Sequence, residues 1–219
     1  MKLLAFDTST EACSAALYID GEITSLYEIA PQRHAELILP MVDQVLSQGQ
    51  VKLTDLDAIA FGRGPGSFTG VRIATGIAQG LAFSADLPLI PVSSLAALAQ
   101  SVKDEADYIA AAIDARMGEI YFGLYKSGDN VELVGEETVI APAKLEISDM
   151  PVCYGIGTGW ASYTGSLKVI FKDKLKDYAG DRYPHAKDLA ILAVDACRKG
   201  VLTKPENAAP VYLRDKVTG

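Results

Sequence analysis

The chain has 219 residues, 49% of them hydrophobic, and a net charge of −8. That suits one large globular domain or two small ones with a sizeable core. An acidic surface repels phosphodiester backbones, so a direct grip on RNA or DNA by this chain alone is not expected.

Leu3–Phe6 is short and apolar and ends at Asp7, the pattern of a buried strand. Ser14–Ile19 and Glu22–Ile29 flank Asp20-Gly21, a hairpin-turn signal. From about His34 to Ser47 the apolar residues Leu37, Ile38, Met41, Val42, Val45 and Leu46 keep helical spacing, and Pro40 marks a kink or a first turn. Ala58–Phe61 reads as a strand, Val71–Ser84 as a helix, Leu89–Val92 as a strand and Ser94–Val102 as a helix. The second half restarts with Ile109–Ile113, an apolar strand ending at Asp114. Asp7, Leu17-Tyr18 and Gly21 recur as Asp114, Leu124-Tyr125 and Gly128, each 107 residues on. Such a repeat predicts two similar α/β lobes with a cleft between them. The boundary is expected in the polar stretch Lys103–Asp107, giving lobes of residues 1–103 and 104–219. Glu132–Ile140 and Val152–Tyr154 read as strands and Leu189–Lys199 as a helix, while residues 160–184 have no firm periodicity. Val211-Tyr212-Leu213 is expected to pack back on a helix or sheet, and the polar tail after it to be loose.

The candidate chemistry lies in loops. Gly62–Gly70 reads GRGPGSFTG, a glycine-rich turn between strand and helix. A phosphate loop of the P-loop type needs a lysine and a hydroxyl after the last glycine, and this loop has no lysine. Ser67 or Thr69 can cap the next helix, whose free N–H groups either meet an anion or simply start the helix. Asp7, Thr8, Ser9 and Thr10 at a strand end suit a hydrated Mg²⁺ near a nucleotide, although no glycines open the turn to phosphates. Asp114 and Arg116 lie at the matching strand end, where the acid serves metal or proton chemistry or a local turn. Gly155, Gly157 and Gly159 form a third glycine turn, facing an adenine or merely reversing the chain.

Classical catalysts are sparse. His34 and His185 are remote and lack metal-ligand spacing; His34 is expected at a surface or interface and His185 at a helix start. Cys13, Cys153 and Cys197 make no Cys-x-x-Cys and read as buried free thiols of a reducing cytosol. No signal peptide or membrane span is read, so a soluble cytoplasmic protein is expected.

LLAFDTSTEACSAALY, RHAELILPMV, FGRGPGSFTGVRIATGIAQGLA, VSSLAALAQ and AAIDARMGEIYFGLY together resemble the TsaB (YeaZ) family of the bacterial tRNA threonylcarbamoyladenosine pathway. The resemblance also takes in GIGTGW and PVYLRD, and Gly62–Ala82 is its most specific stretch. It implies two ribonuclease-H-like lobes of the actin/Hsp70/sugar-kinase type, the second degenerate. It implies a non-catalytic subunit that supports the catalytic paralogue TsaD, with the ATPase TsaE, in modifying adenosine 37 of tRNAs reading ANN codons. The catalytic paralogue carries a His-x-x-x-His metal pair where this chain has Ser94 and Leu98. No tightly bound metal or cofactor is therefore expected, with ATP only in the assembled complex, if at all. On this view Asp7, Thr8, Ser9, Gly64, Gly66, Ser67, Asp114, Arg116, Gly155 and Gly157 are vestiges of nucleotide loops.

The helix after Gly70 carries two stripes. Ile73, Ala74, Ile77, Ala78 and Leu81 suit the sheet; Arg72, Thr75, Gly76, Gln79, Gly80 and Phe83 form the other. Two glycines four apart cost about 1 kcal/mol each in helix propensity, which makes sense where another helix must approach closely. With His34, Leu37 and Met41 of the first helix, this second stripe is the expected interface with TsaD or with a second copy. Internal packing of the glycines is the alternative. As functions, an ATP-dependent enzyme of the sugar-kinase type and, more weakly, a glycoprotease-like metallopeptidase remain alternatives to the partner subunit. The tRNA is expected to be met only through the complex.

Overall fold

The computed structural model describes residues 1–147 and 150–214. The tail expected to be loose lies almost wholly outside the described residues. The chain divides into two compact units: Met1–Ala97 with Pro184–Val211, and Leu98–Tyr183 with the residues from Tyr212 on.

The first unit begins with β1 (Lys2–Asp7), β2 (Ala12–Ile19) and β3 (Glu22–Ile29). β2 and β3 are joined through Asp20 and Gly21, both at positive φ (48° and 112°), the left-handed turn that suits a twisted hairpin. Then follow α1 (His34–Gln48), β4 (Ala58–Gly64), α2 (Phe68–Ala85), β5 (Leu89–Ser93) and α3 (Ser94–Gln100). The sheet runs β3-β2-β1-β4-β5, with β1 antiparallel to β2 and parallel to β4, and β4 parallel to β5. β1 and β4 are buried on both faces, which explains their uninterrupted apolar runs. Leu4, Phe6, Ile59 and Phe61 pack against α1 and α2. Leu3, Ala5, Ala58, Ala60 and Ile90 pack against α6 (Ala186–Arg198), near the far end of the chain.

That return corrects the expected division at residue 103. Residues 184–211 cover the second face of the first sheet instead of completing the second unit. The Ala186 N–H donates to Ser14 Oγ at 2.9 Å, and Leu189, Ala190 and Ala193 are fully buried. The returning chain also meets the sheet and its loop directly. Leu89 and Thr203 exchange N–H···O bonds of 2.8 Å, and Val211 N–H donates to the Arg63 carbonyl at 2.8 Å.

The second unit repeats the topology. β6 (Tyr108–Arg116), β7 (Glu119–Lys126), β8 (Glu132–Ile140), β9 (Cys153–Ile156) and β10 (Leu175–Ala179) form a sheet ordered β8-β7-β6-β9-β10. Its pairings have the same senses as those of the first sheet. The residue-level offset does not carry over. Leu3 pairs with Tyr18, whereas Ala110 pairs with Leu124, one residue short of the equivalent Tyr125. Where the first unit has α1, the described residues of this one have a 3₁₀ turn, Pro142–Lys144. The stretch without firm periodicity holds α4 (Thr158–Ser162), α5 (Thr164–Phe171) and β10, too short for a period to register. Trp160 fills the core here, its indole N–H donating to the Ala110 carbonyl at 2.8 Å and its ring centroid 5.0 Å from that of Phe171.

A fragment of residues 1–103 therefore leaves one face of its sheet in water, Leu3, Ala5 and Ile90 included. Expressed alone, it should show no cooperative thermal transition by circular dichroism, whereas the whole chain should.

Candidate functional site

The glycine-rich loop is closed against the end of β1. Ser67 N–H donates to the Ser9 carbonyl at 2.7 Å, and Thr8 Oγ1 donates to the Gly70 carbonyl at 2.7 Å. A Cβ on Gly62 would overlap the Asp7 carboxylate, one on Gly66 the Ser9 carbonyl, and one on Gly70 the Thr8 carbonyl. These glycines admit this chain's own backbone. Gly64, at φ 94°, turns the strand toward α2, and Ser67 caps that helix by accepting from Gly70 N–H at 3.0 Å.

Asp7, Thr8 and Ser9 have no exposed surface. Asp7 Oδ1 accepts from Ser9 N–H and Ser9 Oγ, both at 2.9 Å, and Ser94 Oγ sits 3.4 Å from Oδ2 and 2.8 Å from Ser9 Oγ. Burial pushes the Asp7 carboxyl up from the usual range, while the bonds from Ser9 and Ser94 pull it down. Oδ1 is taken up by Ser9, while Oδ2 has only the long contact with Ser94.

Asp114, in the second unit, is occupied in the same way. It accepts from Arg116 N–H at 2.8 Å, Arg116 Nη1 at 3.2 Å, Ser162 Oγ at 3.2 Å and Tyr163 Oη at 3.3 Å. The bonds from Arg116 are local to the turn, and those from Ser162 and Tyr163 tie it to α4 and the residue after it. Gly155 lies under the Trp160 indole, where a Cβ would overlap the ring, and Gly157, at φ 104°, lies against the Ala112 carbonyl. The third glycine turn thus seats a core tryptophan.

Burial pushes the Cys13 and Cys153 thiols up to about 12. His185 caps α6, accepting from Lys187 N–H at 3.1 Å, and stacks on Tyr27; burial, then Lys187, lower it to about 4.

The exposed side of α2 is a ladder of Phe68, Arg72, Gly76, Gly80 and Phe83. Phe68 and Phe83 are 56% and 62% exposed, and the Arg72 guanidinium stacks 3.1 Å over the Phe68 ring. A Cβ on Gly76 or Gly80 would meet nothing within 4 Å, so among the described residues nothing requires glycine at either position. Three residues expected on this surface are inside. His34 is buried with Nε2 unpartnered, Met41 is buried against the sheet, and Thr75 is buried with its hydroxyl donating to the Val71 carbonyl at 2.8 Å. Each lies on its helix's core-facing side. Gln79 and Leu37 are half-buried. The exposed large hydrophobic residues of α1 and α2 that the stripes missed are Leu39 and Phe68. Phe68 could have been found from its spacing, four residues before Arg72 and eight before Gly76.

The model for TsaD, tRNA N6-adenosine threonylcarbamoyltransferase, matches residues 25–218. The tRNA threonylcarbamoyladenosine biosynthesis protein TsaB of Escherichia coli (strain K12) is 42% identical, over 99% of this chain and 96% of its own. The TsaB of Haemophilus influenzae is 41% identical, over 100% and 95%. The solved structure of YeaZ from Pseudomonas aeruginosa is 44% identical and superposes with a TM-score of 0.87 over 97% of this chain and 99% of its own. The chain belongs to the TsaB family. The two-lobed α/β fold of the resemblance is the one observed.

Ser94 and Leu98 are both fully buried on α3; Ser94 is committed to Ser9, and the Leu98 side chain has no donor atom. Among the described residues, no group of three or more His, Cys, Asp or Glu could hold a metal ion. No helix of the described residues is long and apolar enough to cross a membrane.

The two sets of glycines should respond oppositely to alanine. Gly66→Ala or Gly70→Ala should lower stability by about 2 kcal/mol or more through backbone overlap, whereas Gly76→Ala should raise it by about 0.5–1 kcal/mol. Urea unfolding at neutral pH measures both.

Proposed function

We propose that this chain is the non-catalytic partner subunit of a TsaD-type threonylcarbamoyltransferase, supporting transfer of a threonylcarbamoyl group to adenosine 37 of tRNAs that read ANN codons. The observation that carries the reading is the α2 ladder. Gly76 and Gly80 lower helix propensity and meet nothing within 4 Å among the described residues, which suits a contact with another molecule. A bare backbone ridge flanked by exposed Phe68 and Phe83 suits the close approach of another helix. The partner is TsaD, with the ATPase TsaE joining the assembly, or a second copy when the chain is alone. The neighbouring α1 adds Leu39 and half-buried Leu37 to the same side of the unit.

Catalysis is assigned to the partner. The loops that would hold a nucleotide are spent on Asp7, Ser9 and the glycine backbone, and the positions of the metal pair carry Ser94 and Leu98. A nucleotide, in this reading, belongs to the assembled complex. The tRNA does too, because a net charge of −8 opposes direct binding. The work takes place in the cytoplasm, where tRNAs are modified.

Gly76→Arg and Gly80→Arg should leave the chain folded by circular dichroism, since neither opens a cavity and Arg is the better helix former. Both should prevent co-elution with TsaD in size-exclusion chromatography, because a guanidinium has no room at a close helix contact and is desolvated there without a partner. Phe83→Ala should weaken assembly by about 2 kcal/mol. Arginine variants that still co-elute remove the α2 face from the interface.

A further inference from the structure

Residues 168–176 hold four lysines and one acid, Asp173, in a chain whose net charge is −8. Lys168 stands on α5, Lys172 just after it and Lys176 on β10, all three exposed and all in the second unit. Lys168 and Lys172 are about one helical turn apart, about 6 Å along the axis. With Leu175, Asp177 and Tyr178, the three lysines line a hollow of about 320 Å³. Lys176 also borders a second hollow, of about 360 Å³, with Tyr108, Pro151 and Val152.

These charges are not neutralised at home. Among the described residues no carboxylate pairs with Lys168, Lys172 or Lys176. Asp177, the acid in the lining of the first hollow, accepts from Tyr178 N–H at 2.8 Å. Lys176 Nζ donates to the Glu105 carbonyl, a neutral group that leaves the ammonium charge in place. The Lys168 ammonium is held 4.8 Å from the Tyr178 ring centroid, and that ring stacks on Trp160 at 5.8 Å. A cation fixed in this way loses little freedom when an anion arrives. Lys172 closes α5 at φ 48° and ψ −123°, a conformation that residues with side chains rarely adopt and that glycine adopts without strain. A strained backbone thus presents an ammonium that meets no hydrogen-bond or ionic partner among the described residues.

We propose that this lysine face of the second unit binds the phosphodiester backbone of the tRNA in the assembled complex. Each lysine that neutralises a phosphate releases condensed counterions, a gain that does not depend on sequence. Such contacts position the tRNA and read no base, which suits a subunit that leaves the chemistry to its partner. The net charge of −8 keeps the affinity of the chain alone low, so the face acts where the partner supplies the remaining contacts. The proposal rests on the reading of the chain as a subunit of a tRNA-modifying assembly.

Fluorescence anisotropy of labelled tRNA with the complex of this chain and TsaD, repeated across a salt series, tests it. Lys168→Gln and Lys172→Gln should each weaken tRNA binding about five- to tenfold at 0.1 M salt and lower the slope of log affinity against log salt by about 1. Lys199→Gln, in the first unit, should change neither. Lys172→Gly should weaken tRNA binding as Lys172→Gln does, while raising the midpoint of thermal unfolding because the strain is relieved. A lysine that serves only the C-terminus of α5 would instead lower that midpoint as Lys172→Gln and leave tRNA binding unchanged. A Lys168→Gln/Lys172→Gln double variant that binds tRNA within about twofold of the parent with an unchanged slope overturns the proposal. So does a double variant that is folded by circular dichroism but no longer co-elutes with TsaD, since the face then binds protein. Modification assays separate this failure from that of the subunit reading. If the double variant still supports full modification and tRNA binding, the lysine face falls and the subunit stands. If TsaD modifies tRNA equally well without the chain, the subunit reading falls and the proposal with it.

Discussion

The closure of the Gly62–Gly70 loop onto residues 7–10 is the constraint on which the first unit depends. Two short hydrogen bonds, from Ser67 N–H to Ser9 and from Thr8 to Gly70, hold it, and three glycines let the backbones touch. The contact has two consequences. It occupies the glycine turn with this chain's own backbone, and it fixes the first turn of α2, with Ser67 as cap. The direction of α2, and so the direction in which Phe68, Arg72, Gly76 and Gly80 point, follows from an interaction made several residues earlier.

The two units show how far a repeated topology can diverge. Both sheets keep the same order and the same strand senses, so the element order alone made the repeat legible. The pairing register differs by one residue between β6 and β7, and in the place of α1 the described residues of the second unit have a 3₁₀ turn. Asp7 and Asp114 end corresponding strands but differ in environment: one is sealed among serines, the other held by a turn arginine, a serine and a tyrosine. Equal spacing along a chain records the order of elements and says little about the depth of a side chain.

Much of the first unit could be read directly, because β1 and β4 are buried on both faces and α1 and α2 are long enough to show a period. The errors have local causes. The phase of a helix with a broad apolar arc is uncertain by about one residue, which was enough to place buried Thr75 and Met41 on the outer stripe. His34 begins α1, where no full turn precedes it to define a face. Residues 184–211 were assigned by adjacency to the second unit, since nothing in the pattern of α6 says which sheet it will cover. Asp188 gave no signal either: it is a buried acid on α6 with one carboxylate oxygen unpartnered among the described residues, pushed by burial to about 6. The glycine pair of α2 was legible for the opposite reason. Glycine in a helix carries a cost that is local and known, and the open space above both positions leaves this chain without a use for it.

The central claim is that this chain serves the reaction through its surface. The most direct measurement is threonylcarbamoylation of tRNA in a mixture reconstituted from TsaD, TsaE, the carbamoyl donor, ATP and tRNA, with this chain added or omitted. The account predicts modification only with the chain present, none with Gly76→Arg in its place, and none from the chain without TsaD. Full modification with the chain omitted, or modification by the chain without TsaD, would contradict it.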